Sequence, residues 1–289
     1  MSIDQRGPVI NGALLRAELI RLRKTSKMTQ EEVAKRLDWH TSKLIRIEGG
    51  RTGISKVDLE ALVRLYGAAG GQELDRLIEL NQGARSRAWW DEFKNDVTEA
   101  YLTYIGFEAG ASRIRQFQPL AIPGLLQTKE YAETITTDPD VVRLGQRVRL
   151  RLRRQDWLNK RQSPPQQKFI LDEAVIRRHV GISKDPAIMP SQLRHIVDIV
   201  RERDNVEVRV IPFNVGAHAG MLRGAFTLLD FQDELGELLH MESSAAEITL
   251  TGDDPRIADA RADFEALTEE ALAPGESLDL IIDVASQMG

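Results

Sequence analysis

Apolar residues in the first eighty positions recur at helical spacing, in five short segments separated by polar turns. The first segment follows Asn11, a candidate N-cap, and places Leu15, Leu19 and Leu22 on one face. Each segment is long enough for a short helix that buries one side. The other four segments follow Thr29, run from Thr41 to Glu48, lie between Ser55 and Gly67, and cover residues 72–82.

Cap and turn residues mark the ends of these segments. Thr29 with Glu32, and Ser55 with Asp58, have the spacing of capping boxes. Asp38 stands between the second and third segments and tolerates the left-handed conformation of a sharp turn better than most residues do. Two short helices joined by such a turn are the elements of a helix-turn-helix domain.

Beyond residue 85, short stretches typical of strands are interleaved with longer helical patterns. The basic stretch at residues 141–161 also alternates like a strand, but its length favours a helix. The sequence therefore predicts an α+β protein overall, with an all-α five-helix domain at residues 1–84 and a larger mixed α/β domain at residues 85–289. The predicted strands cover residues 168–171, 206–212, 225–231, 237–241 and 247–251, and the predicted helices cover residues 127–135, 141–161, 190–203 and 255–273.

Composition narrows the class of protein. A hydrophobic content of 42% with 29% charged residues is typical of a globular chain and not of a disordered one. The absence of cysteine excludes disulfides, thiolate zinc sites and cysteine nucleophiles. No apolar run reaches the roughly 18 residues of a membrane helix, and the N-terminus lacks the pattern of a signal peptide. We therefore expect a cytoplasmic protein with no membrane partner.

The charge is distributed unevenly along the chain. Residues 10–56 carry a net charge of +6, whereas residues 57–289 carry −11. A basic module attached to an acidic body is expected when one end binds an anion such as nucleic acid. The alternative at this level is a chance clustering of solvated charges.

Two stretches of the first domain carry a family resemblance. Residues 28–37, MTQEEVAKRL, and residues 47–51, IEGGR, resemble the Cro/Xre type of DNA-binding domain, and the resemblance covers residues 11–80. Two residues depart from the family pattern. Asp38 stands where the family usually has glycine, and His40 stands where it usually has the serine or threonine that caps the recognition helix.

The third helix is the expected recognition helix. If Leu44 and Ile47 face the core, helical spacing exposes the opposite side of the helix to the major groove. There arginine pairs with guanine, and an aliphatic side chain packs on a thymine methyl. The predicted base contacts are Thr41, Ser42, Ile45 and Arg46, and the predicted phosphate contacts are Gln30, Lys43 and Arg51.

Arg23 and Glu48 have a different predicted role. In the family that this domain resembles, an arginine late in the first helix pairs with the glutamate that ends the recognition helix, and these two residues occupy those positions. We therefore interpret them as a structural ion pair that orients two helices.

The second domain has its own resemblance. Segments such as Trp89-Trp90, residues 104–108 (YIGFE), residues 122–128 (IPGLLQT) and residues 171–174 (LDEA) resemble the C-terminal domain of the WhiJ-like regulators of actinomycetes. In that family a Cro-type DNA-binding domain is fused to this domain. Many members are paired with a small partner protein in an antitoxin-like arrangement, which implies a small protein partner encoded nearby.

No catalytic pattern stands out in the second domain. Its histidines lack the spacing of metal ligands, and no G-x-S-x-G, Walker or G-x-G-x-x-G motif is present. Asp172-Glu173 follows a strand and could supply a general acid and base, although adjacent carboxylates are commoner as helix-start charges. The basic stretch at residues 143–161 is interpreted as a helix whose arginines pair with acids of the body, with a second nucleic-acid surface as the alternative. We expect no enzyme, no metal and no cofactor.

Together these features predict a sequence-specific, nucleoid-associated transcription regulator. It is expected to bind an operator in duplex DNA as a homodimer, because one recognition helix reads only a few base pairs. The C-terminal domain is expected to control DNA occupancy through the small protein partner. The alternatives are a small-molecule-sensing repressor and an enzyme fused to an autoregulatory DNA-binding domain.

Overall fold

The computed structural model describes residues 7–68, 70–136, 140–232, 234–242 and 247–288. The chain divides into two compact units, Met1–Asp91 and Glu92–Gly289. Each unit buries its own set of large apolar side chains.

The described part of the first unit contains five α-helices, as predicted. α1 packs against α3 and α5, α2 packs against α3, and α4 packs against α5. Its core is aliphatic, with Leu19, Leu44, Leu59, Leu62 and Leu77 fully buried. The helices are α1 (Pro8–Thr25), α2 (Gln30–Arg36), α3 (Thr41–Glu48), α4 (Lys56–Leu65) and α5 (Gln72–Gly83).

The start of α1 differs from the prediction. The helix begins at Pro8, with Gly7 as its N-cap, so the prediction that Asn11 caps it is wrong. Proline suits the first helical position because its fixed φ matches the helix and its missing N–H would have no partner there. Asn11 lies inside the helix, buried against α5, where a Cβ added to Gly83 would be 2.4 Å from the Asn11 amide nitrogen.

The second unit combines helices with one sheet. Within its described residues the helices are α6 (Glu99–Glu108), α7 (Lys129–Ile135), α8 (Val141–Asn159), α9 (Glu173–Arg177), α10 (Ile188–Glu202), α11 (Gly220–Arg223), α12 (Pro255–Glu270) and α13 (Pro274–Met288). The strands are β1 (Arg113–Gln118), β2 (Gln166–Asp172), β3 (Val206–Ile211), β4 (Phe226–Asp230), β5 (Glu237–Glu242) and β6 (Glu247–Leu250).

The five predicted strands are confirmed as β2 to β6, and the stretch at residues 141–161 is confirmed as a helix, α8. β1, α6, α9, α11 and α13 were not predicted. β1 has the sequence RIRQFQ, in which glutamines alternate with arginine and phenylalanine, so its hydrophobic signal is weak. In the part of the chain that the structure describes, no helix is both long and apolar enough to cross a membrane.

The sheet is mixed, with strand order β3-β2-β1-β4-β5-β6. β1, β2 and β3 run parallel and are joined by helical crossovers, whereas β4, β5 and β6 are antiparallel. One face carries Phe117, Phe226 and Leu228, which pack under Phe264 and the other apolar residues of α12. The strand alternation turns the neighbouring side chains of β1, β4 and β5 to the opposite face.

Candidate nucleic-acid interface

α2, a tight turn and α3 form the helix-turn-helix. The Thr29 hydroxyl accepts from the backbone N–H of Glu32 at 3.2 Å, and the Glu32 carboxylate accepts from the backbone N–H of Thr29 at 2.8 Å, which confirms the capping box. α2 ends where Asp38 takes the left-handed conformation, with φ of 55°. The backbone N–H of Trp39 then donates to the carbonyl of Ala34 at 2.8 Å. This bond closes a Schellman motif and sets the exit direction toward α3.

α3 begins at Thr41, after His40, which occupies the N-cap position without a side-chain hydrogen bond to the helix. Leu44 and Ile47 are buried, as predicted. The predicted base-contacting residues lie together on the other side of the helix. Ser42, Ile45 and Arg46 are exposed and Thr41 is half-buried.

The three residues predicted to contact phosphates differ in the contacts that they already make within the protein. Arg51 is exposed, just beyond the C-terminus of α3. The Lys43 ammonium lies 3.0 Å from the Asp58 carboxylate and 3.9 Å from the centre of the Trp39 ring. The amide nitrogen of Gln30 donates to Glu48 at 2.7 Å. Lys43 and Gln30 are therefore positioned by contacts inside the unit, whereas Arg51 projects from it.

The Arg23–Glu48 pair forms the contact that the resemblance implied. The Arg23 guanidinium donates to both carboxylate oxygens of Glu48, from Nε at 2.7 Å and from Nη2 at 3.0 Å, and its Nη1 donates to the Met28 carbonyl at 3.0 Å. With Gln30, the carboxylate accepts three hydrogen bonds. The side chains of Arg23 and Glu48 are 15% and 5% exposed. This Arg23–Glu48–Gln30 network ties α1 and the start of α2 to the end of α3.

The electrostatics of this network extend to a neighbouring phenol. The hydrogen bond to Glu48 holds the pKa of Arg23 above its ordinary value. Burial raises the pKa of Tyr66, and the negative charge of Glu48 adds to the effect. Both groups therefore keep their protons throughout the physiological range, and Glu48 keeps a cationic partner.

Two arginines that the sequence did not single out support the segment after α3. Gly50 has φ of 73°, and a Cβ placed there would lie 2.9 Å from the guanidinium carbon of Arg16. Burial lowers the pKa of Arg16. Arg85, after α5, donates to the carbonyl of Ile54. These contacts are long-range in sequence and have no local motif, although the consecutive glycines at Gly49-Gly50 indicate a site of close approach.

The carboxylates considered for catalysis in the second unit have structural partners. Asp172 caps α9 by accepting from the backbone N–H of Ala174 at 2.7 Å, and it lies 3.0 Å from Nε2 of His218. Glu173 accepts from Arg177 at 2.5 Å and from the backbone N–H of Phe213 at 2.6 Å. Helix capping thus accounts for the position of Asp172, and Glu173 links α9 to the chain after β3.

Some arginines of α8 pair with acidic side chains, which agrees with the favoured interpretation of this basic stretch in the sequence. Arg154 donates to both carboxylate oxygens of buried Glu108, at 2.9 and 2.6 Å. Arg149 and Arg153 both pair with Glu92. In the ranges that the structure describes, no group of three or more histidine, aspartate or glutamate side chains is placed to hold a metal ion.

Comparison with known protein families gives two matches. A model described as a helix-turn-helix domain matches residues 14–77, which span α2, α3 and α4 with most of α1 and the first half of α5. A model described as a domain of unknown function, DUF5753, matches residues 101–283, most of the second unit. No curated protein and no solved structure matches the chain.

Proposed function

Because the chain belongs to the DUF5753 family and carries a helix-turn-helix domain ahead of that region, we propose that it is a sequence-specific transcription regulator of the WhiJ-like type. The observation that carries the proposal is the exposed face of α3. There Ser42, Ile45 and Arg46 lie together on the helix that follows the turn, backed by buried Leu44 and Ile47.

In this proposal the exposed face of α3 enters the major groove. Arg46 donates two hydrogen bonds to a guanine, Ile45 packs on a thymine methyl, and Thr41 and Ser42 contact base edges or phosphates. Among the described residues, no hydrogen bond or ion pair engages the Arg46 side chain, so DNA binding breaks no hydrogen bond or ion pair of that side chain.

Gln30, Lys43 and Arg51 bind phosphates and fix the register of the helix on the duplex. Lys43 and Gln30 each have a hydrogen bond to a protein group. An ammonium carries three hydrogens and an amide nitrogen carries two, so each keeps at least one donor for a phosphate oxygen. Their internal contacts hold them in position for that role.

The regulator acts as a homodimer, because a single α3 reads too few base pairs for specific binding. Two copies related by a two-fold axis would read half-sites about one helical turn apart, roughly 34 Å. Selection of binding sites from a random duplex pool by the full chain tests both claims. We expect a two-fold symmetric motif with that spacing. The triple variant Ser42→Ala, Ile45→Ala, Arg46→Ala should select no motif and keep only salt-sensitive binding.

A motif that the triple variant still selects would show that α3 is not the reading element. A matched control is Arg64→Ala, which removes an exposed arginine from α4 and should leave the motif unchanged. An asymmetric motif bound with one copy per duplex would contradict the dimer.

We further propose that the second unit is a non-catalytic module that receives a small protein partner and thereby changes DNA occupancy. The connection between β3 and β4 supports this, because it exposes three large apolar side chains. Phe213 is 58%, Met221 is 64% and Leu222 is 100% exposed. Apolar side chains of this size in water are typical of interaction sites when they occur together. The negative charge of residues 57–289 would attract a basic partner and repel DNA.

The partner claim is tested by titrating the full chain with any small protein whose gene neighbours the gene of this chain. The double variant Met221→Asp, Leu222→Asp should weaken that binding at least tenfold. Ile182→Asp, which changes another exposed apolar residue of the same unit, should not. By linkage, operator DNA must shift the affinity for the partner by the same factor by which the partner shifts the affinity for DNA. Absence of binding, or equal losses in both variants, would refute the assignment.

A further inference from the structure

The second unit contains a cavity of about 370 Å³ that the proposed function does not use. Its walls come from α6, α8, the segment before α7, and one face of the sheet at β1, β4 and β5. This volume lies within the range of small-molecule pockets.

The floor of the cavity is a polar row that crosses the sheet. The strand registers place Gln116 beside Thr227, Thr227 beside His240, and His240 beside Thr249. Thr227 and His240 are almost completely buried. Buried positions of a strand are ordinarily occupied by apolar residues, since burying a polar group costs free energy unless it is hydrogen-bonded. The opposite face follows that rule, with Phe117 and Phe226 packed beneath α12.

Arg151 on α8 supplies a positive charge to the wall. Its Nη1 donates to Oε1 of Gln127 at 2.7 Å and to the Thr136 hydroxyl at 3.3 Å. Gln127 is itself fixed, because its amide nitrogen donates to the Ile122 carbonyl at 2.6 Å and its oxygen must then face Arg151. Neutral groups therefore hold the guanidinium in place without neutralising it. Over the described ranges, no carboxylate pairs with Arg151.

The other charges of the wall leave it positive. Arg147, one turn before Arg151 on the same face of α8, donates to the carbonyl of Asp96 at 3.2 Å. Arg154 is compensated by Glu108. Glu247 is the only acidic side chain among the described lining residues, and it accepts from the Thr98 hydroxyl at 3.0 Å. The acidic character of the unit as a whole is therefore reversed at this cavity.

An aromatic surface lies in the same cavity. The rings of Tyr104 and His240 stack with centroids 4.0 Å apart and planes 19° from parallel. Nδ1 of His240 lies 3.0 Å from the Thr249 hydroxyl, whereas Nε2 is buried and has no hydrogen-bond partner in the described part of the chain. Burial lowers the pKa of His240 to about 4, with the charge of Arg154 contributing, so the ring is neutral at pH 7. A neutral, flat wall of this kind suits an apolar or aromatic group.

We propose that this cavity binds a small organic anion, a carboxylate or phosphate attached to an aromatic or other apolar group, with Arg151 pairing with the anionic oxygens. Guanidinium groups match both kinds of oxyanion geometrically. The polar row on the sheet then supplies hydrogen bonds that orient the ligand. The inference does not rest on the DNA-binding proposal, since it concerns the second unit alone.

The test is a calorimetric titration of the full chain, without DNA, using benzoate and phenyl phosphate as probes and benzyl alcohol as the neutral control. Molecules of this size are expected to bind with a Kd of roughly millimolar order. At least one anion should bind with 1:1 stoichiometry, and benzyl alcohol should bind at least tenfold more weakly. Arg151→Met should weaken binding of the anion by roughly 10- to 100-fold.

Two further variants keep the result interpretable. Arg153→Met is a matched control, because Arg153 is exposed on the same helix and outside the cavity, and it should leave binding unchanged. Ala121→Phe adds volume at a half-buried position of the cavity wall and removes no charge, so it should abolish binding by filling the cavity. The NMR signal of the His240 ring should shift on titration of the native chain. It should not shift in the Ala121→Phe variant.

Absence of binding by both anions, or equal binding of benzyl alcohol, would overturn the proposal. So would anion binding that survives both Arg151→Met and Ala121→Phe, because the anion would then occupy another site.

Discussion

The Arg23–Glu48–Gln30 network should contribute a large share of the stability of the helix-turn-helix unit. Glu48 accepts three hydrogen bonds while its side chain is 5% exposed, so replacing Arg23 leaves a nearly buried carboxylate without its cation. Removing one partner of a buried pair costs about 3–5 kcal/mol. Because Arg23 remains 15% exposed and water can reach it, we expect about 2–4 kcal/mol for Arg23→Met or Glu48→Met.

The double-mutant cycle separates the interaction from the loss of each side chain. In the double variant neither charge is left stranded, so its cost should fall short of the sum of the single costs by about 1.5–3 kcal/mol. Hydrogen exchange of the α1 and α3 amides in the full chain, measured across a urea series, reports the unfolding free energy of this unit. The exposed pair Lys56–Glu60 on α4 is the control, and Lys56→Met should cost less than about 1 kcal/mol. Additive losses for Arg23 and Glu48, or a control loss as large as theirs, would refute the reasoning.

Three further predictions follow from the backbone and from one buried ring. Asp38→Gly should raise the unfolding free energy of the first unit by about 0.5–1 kcal/mol, measured by urea unfolding, because glycine takes the left-handed conformation without strain. Gly50→Ala should lower it by about 1–2 kcal/mol in the same assay, since φ is positive there and the new Cβ meets Arg16. For His240, whose pKa falls from 6.5 to about 4 on folding, the unfolded chain binds more protons between those values, so stability rises with pH across that window and is lost on acidification. About 2 kcal/mol of the loss between pH 7 and pH 5 should therefore disappear in His240→Gln and remain in His40→Gln, as urea midpoints at the two pH values would show.

Local signals in the sequence were sufficient to predict most of the structure of the first unit. The capping box at Thr29 and the left-handed residue at Asp38 act within one helical turn, and both were read from neighbouring residues. The start of α1 was misplaced because the leucine period begins later than the helix does. Pro8 was the overlooked signal. The exposed side of α3 could be predicted because two buried residues fix the orientation of an eight-residue helix.

The second unit was harder to predict because its decisive features are long-range. β1 is a central strand whose outward residues are glutamines facing the cavity, so its own pattern lacks the apolar run expected of a buried strand. The cavity assembles residues from seven α-helices and strands, and strand register alone aligns Gln116, Thr227 and His240. The spacing of residues along the chain does not reveal which residues of neighbouring strands lie side by side. By contrast, the ion pair between Arg154 and Glu108 agrees with the general expectation that basic residues in an acidic domain pair with acidic ones.

The central claim is that α3 reads DNA sequence, and the specificity ratio of the Arg46→Ala variant tests it most directly. The measurement compares the affinity of the full chain for its selected duplex with that for a scrambled duplex, over a range of salt concentrations. Arg46→Ala should weaken binding to the selected site by roughly 1–3 kcal/mol, leave scrambled DNA almost unaffected and relax the preference at one base pair. Arg51→Ala should instead weaken both duplexes alike and make the salt dependence shallower by about one unit. Equal losses on both duplexes for Arg46→Ala would contradict the account.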